Sequence, residues 1–147
     1  MNHNPGTRQT YDSANEIEVL VREFETCSLP PAAFDHRAHL AVAVWYLRRS
    51  TSIEEAGEQM RAGLLRFLKH LRDPAAYNET ITLFWLKRLR SFLDAQGTSA
   101  PLDALANAAL EHCNDPLLIF HYYSKELLTS DEAKAGSLEP DLRPLDF

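Results

Sequence analysis

The sequence predicts an all-α fold: a compact single-domain bundle of about six helices with an extended C-terminal tail. Three observations predict it. Apolar residues recur at intervals of three and four along most of the chain. Helix-starting Ser, Asp and Pro residues and helix-stopping Gly residues punctuate those stretches, and the strict alternation of apolar and polar residues that marks a strand is almost absent. At 147 residues with 45% hydrophobic content, the chain suits one core that buries roughly two-thirds of the surface an unfolded chain exposes.

Each element follows from local signals. Residues 1–12 are polar, contain Pro5 and Gly6, and are expected to form a flexible N-terminal tail, leaving 13–147 as the helical domain. Ser13 and Glu16 make a capping box, after which Ile17, Leu20, Val21 and Phe24 fall at helical spacing. Pro30 and Pro31 stop that helix, and Asp35 caps a second one reaching about Arg49, with Arg37 and Arg48 on its outer side. Ser52 and Glu55 form another capping box for a third helix, whose stripe is Ile53, Ala56, Met60, Leu64, Phe67, Leu68 and Leu71. Asp73 followed by Pro74 has the chemistry of an N-cap and N1 proline, so a fourth helix is expected from there to Ala95, before Gly97. Pro101 introduces a fifth helix with Leu102, Leu105, Ala109 and Leu110 inward, and Asp115 with Pro116 repeats the device for a sixth over LLIFHYY. Ser130 caps a further short helix, DEAKA, closed by Gly136. Two prolines exclude a helix from SLEPDLRPLDF, which should lie over the bundle on Leu138, Leu142, Leu145 and Phe147.

Composition narrows the function classes. A formal charge of -6 and a pI near 5.5 argue against a nucleic-acid partner, which calls for a concentrated positive surface. Lys87, Arg88 and Arg90 read as the solvated side of a helix. The longest apolar run, Leu40 to Leu47, is far too short for a membrane span, so no membrane partner is expected; MNHNPGTRQT lacks a signal-peptide core, which points to a cytoplasmic location. Cys27 and Cys113 form no CxxC pattern and read as reduced, buried thiols. No Gly-rich phosphate loop or nucleotide fingerprint is present.

The segment FDHRAHL carries the strongest chemical signal. His36 and His39 are three residues apart at a helix entrance, on a face continued by Leu40, Ala43 and Leu47, so both imidazoles point toward the core. Such a pair can give two ligands to a divalent transition metal, with the rest drawn from facing helices. Asn78, Glu79 and His121 are the candidates by chemical type, whereas His70 and His112 sit near helix ends and His3 lies in the tail. Neutral Asn suits zinc or iron poorly, so Glu79 or His121 must substitute for it, and the candidate metal set is His36, His39 and Glu79. Alternatively, both rings bond nearby carbonyls and simply finish the core. On the fourth helix Asn78 shares a face with Ile81, Trp85 and Leu89. With Tyr77, Thr80 and Thr82 it can line a polar pocket under the imidazoles, so His36, His39, Tyr77, Asn78 and Thr80 are the candidate catalytic or ligand-binding residues. The competing reading gives the tyrosine hydroxyl to the surface and the threonines to their own backbone.

FDHRAHL, YNETIT and HYYSKELLTSDEAKAGSLEPDLRPL together resemble a family of small bacterial helical proteins of unassigned activity, in which an HxxHL helix precedes a YHxTxT motif and a tail ending in EPDLxPL. The resemblance spans residues 34–145. It implies a compact helical protein with a histidine-containing site. His36 and His39 match the first motif, Tyr77, Thr80 and Thr82 the second, and Glu139, Pro140, Asp141 and Leu142 the tail. Asn78 stands where the pattern has a third histidine, so a three-histidine metal site does not carry over.

Three readings remain. The chain is an enzyme on a small molecule, with His36 and His39 as general acid and base or as metal ligands. It is a non-catalytic module that hydrogen-bonds a polar ligand between helices. Or it is an interaction subunit whose apolar stripes extend into an interface, as in a homodimer.

Overall fold

Helix α2 (His36–Arg49) is apolar around nearly its whole circumference, with Leu40, Ala41, Val42, Val44 and Leu47 all at 1% exposure or less. A helix of that kind belongs in the centre. In the computed structural model, which describes residues 10–97 and 99–147, α2 packs against α1 (Ala14–Glu25), α3 (Ile53–His70), α4 (Glu79–Gln96) and α5 (Leu102–His112). Two short helices, α6 (Lys125–Leu128) and α7 (Asp131–Ala135), and 3-10 turns at Pro31–Ala33, Pro74–Ala76 and Leu118–His121 complete the order. The protein is all-α, with no strand among the described residues, and none of its helices there is long and apolar enough to cross a membrane. Most of the expected flexible tail, with His3, lies outside the described residues. Its end at Tyr11 is tied down, because Tyr11 N–H donates to Asn107 Oδ1 at 2.8 Å and Asn107 Nδ2 donates to the Tyr11 carbonyl at 2.9 Å.

The caps form much as expected, with one shift. Ser13 and Ser52 accept from the N–H groups of Glu16 and Glu55. Their glutamates, however, reach back one residue further than a standard box, to Asp12 N–H at 2.8 Å and to Thr51 N–H at 3.2 Å. α1 and α3 end in left-handed residues, Cys27 (φ 58°) and Arg72 (φ 61°). The N–H of Ser28 bonds the Glu23 carbonyl and that of Asp73 the Leu68 carbonyl, so each end is a Schellman motif built without glycine.

Two helix boundaries differ from expectation. The fourth helix starts at Glu79 rather than at Pro74: Pro74–Ala76 is one 3-10 turn, Tyr77 is extended (φ -64°, ψ 139°), and Asn78 is the true cap, its side chain accepting from Ile81 N–H at 3.0 Å. Asp73 makes no side-chain cap bond, and Asn78 satisfies the orphan donors instead. The expected sixth helix over LLIFHYY is a 3-10 turn, with the next α-helix starting only at Lys125 under a Ser124 cap.

The C-terminal residues run extended over α4, as the prolines require. Thr80 Oγ1 donates to the Gly136 carbonyl at 2.6 Å and accepts from Leu138 N–H, while Tyr123 OH donates to the Leu138 carbonyl at 2.7 Å. Further along, Ser124 holds Asp141, Leu142 N–H donates to the Tyr122 carbonyl, and Tyr122 OH donates to Asp146. The chain ends with the Phe147 ring 5.5 Å from Phe84 and 5.7 Å from Tyr122. Leu142, an expected anchor, is instead 58% exposed, because its backbone rather than its side chain is held.

Candidate functional site

The loop before α2 sets the histidines. The 3-10 turn at Pro31–Ala33 delivers Phe34 onto Phe24, with ring centroids 4.9 Å apart, and onto Phe67; Asp35 then caps α2 by accepting from Ala38 N–H at 2.9 Å. Asp35 is thereby committed to the helix. His36, on the first turn, places Nε2 3.0 Å from the carbonyl of Cys113, the C-cap residue of α5, and lays its ring edge-on to Trp85 at 4.8 Å. A carbonyl oxygen only accepts, so Nε2 carries a hydrogen toward it.

His39 lies one turn further in, half-buried, with its ring 5.7 Å from Phe34. Among the described residues neither of its ring nitrogens has a hydrogen-bond partner. Burial depresses its pKa to about 4, and the neighbouring His36 lowers it further within that shift. The imidazole is therefore neutral over the whole physiological range.

The residues of the YNETIT motif turn to other partners. Glu79 accepts from Arg61 Nε at 2.9 Å and Nη2 at 2.5 Å and from Tyr77 OH at 2.5 Å. The Arg61 guanidinium holds this carboxyl below its usual range, while burial and then Glu79 push the Tyr77 hydroxyl up to about 12. Asn78 uses its oxygen on the α4 cap and donates its amide to the Leu128 carbonyl at 2.7 Å. Thr80 binds the tail, and Thr82 Oγ1 donates to the Asn78 carbonyl at 2.9 Å. His121 sits exposed in the last 3-10 turn, and His112 stacks on Phe92 at 4.6 Å.

The expected pocket is thus divided. His36 and His39 stay together with Phe34, Trp85 and the Cys113 carbonyl, whereas Tyr77 and Glu79 close a network with Arg61, and Asn78, Thr80 and Thr82 join α4 to α6, to the C-terminal residues and to its own first turn. A metal set of His36, His39 and Glu79 does not fit this arrangement. Glu79 is engaged by Arg61 and Tyr77, and among the described residues no group of three His, Cys, Asp or Glu side chains is placed to hold an ion. A cleft of about 470 Å³ opens beside the same turn of α2. It is lined by Arg37, between the two histidines in sequence, and by Asn114, next to Cys113, with Asn107 and Glu111. Sequence reading missed Arg61, which falls outside the apolar stripe of α3 and carries no motif, and it missed the Cys113 carbonyl, which a backbone group cannot advertise. Trp85 was legible as a core position but not as the wall behind His36.

No family model matches the chain, and no curated protein or solved structure is significantly similar to it.

Proposed function

We propose that the chain is a small-ligand-binding protein whose recognition centre is the His36–His39 edge at the start of α2. The observation that carries this reading is His39: a half-buried, neutral imidazole whose ring nitrogens have no hydrogen-bond partner among the described residues. Neither nitrogen is sealed from solvent, so a ligand offering one donor and one acceptor can reach both. The resemblance of FDHRAHL to the HxxHL motif of a family of small bacterial proteins points to the same residues. Binding is favoured over general-base chemistry because a base with a pKa near 4 takes up protons weakly at neutral pH. The test is ligand-observed NMR with a library of small polar metabolites, followed by the histidine Cε1–H resonances. A hit should move the signals of His36 and His39 and lose its affinity in the His36→Ala/His39→Ala double variant. Retention of binding in that variant sinks the proposal.

A catalytic reading rests on one further observation. Because His36 Nε2 is engaged by the Cys113 carbonyl, its Nδ1 is the nitrogen left to exchange a proton. On this reading hits from the same library are consumed, product accumulation is seen by NMR, and His36→Ala abolishes turnover while thermal unfolding stays cooperative.

A further inference from the structure

At the opposite end of α2, about 18 Å along the helix from His36, the last turn of the helix carries a second constellation. Arg49 lays its guanidinium over the Trp45 ring at 4.5 Å. Arg48 is its neighbour, and among the described residues neither arginine pairs with a carboxylate. Both border a cleft of about 420 Å³ between α1, α2 and the start of α5, whose apolar walls are Trp45, Pro101 and Leu102 and whose one acidic wall is Glu18. Arg48 also borders a smaller cleft of about 170 Å³, lined by Ser50 and Arg90, where the Ser50 hydroxyl is buried without a hydrogen-bond partner. Arg90 itself is paired with Asp94 at 3.5 Å.

We infer that the Trp45–Arg48–Arg49 cleft is a binding site for a small organic anion, a molecule with one phosphate or carboxylate group on a flat apolar body. Stacking on Trp45 fixes the Arg49 guanidinium in one orientation and leaves its N–H edge free, so little side-chain entropy is lost when an oxyanion docks. Two guanidiniums on neighbouring residues supply forked donors for the three or four lone-pair directions of an oxyanion. Trp45, Pro101 and Leu102 then cover the apolar body. The chain as a whole carries a net charge of -6, so a cationic edge free of ion pairs stands against the field of the rest of the molecule rather than belonging to it.

The probes are phenyl phosphate, benzoate and inorganic phosphate, titrated into the full chain by calorimetry at low salt. Saturable binding of phenyl phosphate or benzoate is expected, the tighter of the two identifying the anionic head. Arg48→Ala/Arg49→Ala should weaken it at least about tenfold, and raising the ionic strength should weaken it in parallel. Glu18→Gln, an exposed change with no bearing on folding, should tighten binding about two- to fivefold by removing the repelling carboxylate. His36→Ala should leave it unchanged. Absence of saturable binding by both organic anions overturns the inference, as does affinity that survives in the double arginine variant. Inorganic phosphate binding as tightly as phenyl phosphate overturns it too, since the apolar wall would then contribute nothing.

Discussion

His39 is the side chain whose chemistry the fold changes most. Its folded-state pKa of about 4 lies below the ordinary 6.5, so between those values the unfolded chain holds a proton that the folded chain does not. Stability from this residue is therefore complete above pH 6.5 and drains as the pH falls toward 4, by up to roughly 3 kcal/mol. Urea unfolding at pH 7.5 and 4.5 should show that extra loss in the wild type and a clearly smaller one in His39→Gln, in which nothing at this position titrates. Parallel losses in the two proteins would mean that the ring is protonated and solvated in the folded state. Glu79 behaves in the same sense at lower pH: Arg61 keeps it ionised in the fold, so its contribution is complete above the usual carboxylate value and is lost as the pH falls below it. The histidine and the carboxylate were legible as candidates from their types and spacing. Their separation was not, because Arg61 reaches Glu79 from eighteen residues away.

Among the elements, the start of α4 is where local and distant interactions meet. Asn78 caps the helix through Ile81 N–H and, with the other end of the same amide, holds the Leu128 carbonyl at the end of α6. Substitution can separate the two. Asn78→Ser keeps a capping oxygen but cannot reach Leu128, and should cost about 1 kcal/mol; Asn78→Ala loses both bonds and should cost about 2 kcal/mol in equilibrium unfolding. Equal costs for the two variants would show that the cap contributes nothing here. The late start of α4 has the same origin. Two cap signals, Asp73–Pro74 and Asn78, compete within a single stretch of sequence, and the second prevails because its amide has a tertiary partner while Asp73 has none.

At the level of the whole molecule, the C-terminal residues act as a strap that completes the core. Phe147 covers Phe84 and Tyr122, the Arg88 guanidinium lies 5.2 Å from the Phe147 ring, and hydrogen bonds from Tyr122, Tyr123, Ser124 and Thr80 hold the strap along its length. Removing Asp146 and Phe147 should destabilise the fold by about 2 kcal/mol, mainly through the apolar area returned to water; an unchanged unfolding midpoint would show that the strap is only laid on the surface. The amino-acid sequence by itself determined that this chain is helical, where most helices begin and that the histidines of α2 enter on one face. Those properties depend on spacing of three and four residues and on caps that act within one turn. Only the tertiary structure decided what the polar residues are for. The distant partners of His36, Asn78, Glu79 and Thr80 lie between 18 and 77 residues away in sequence, and three of those four are backbone carbonyls, alike along the whole chain until packing selects them. Local periodicity specifies which face of a helix is turned inward, whereas the group it meets there is set by how the helices cross.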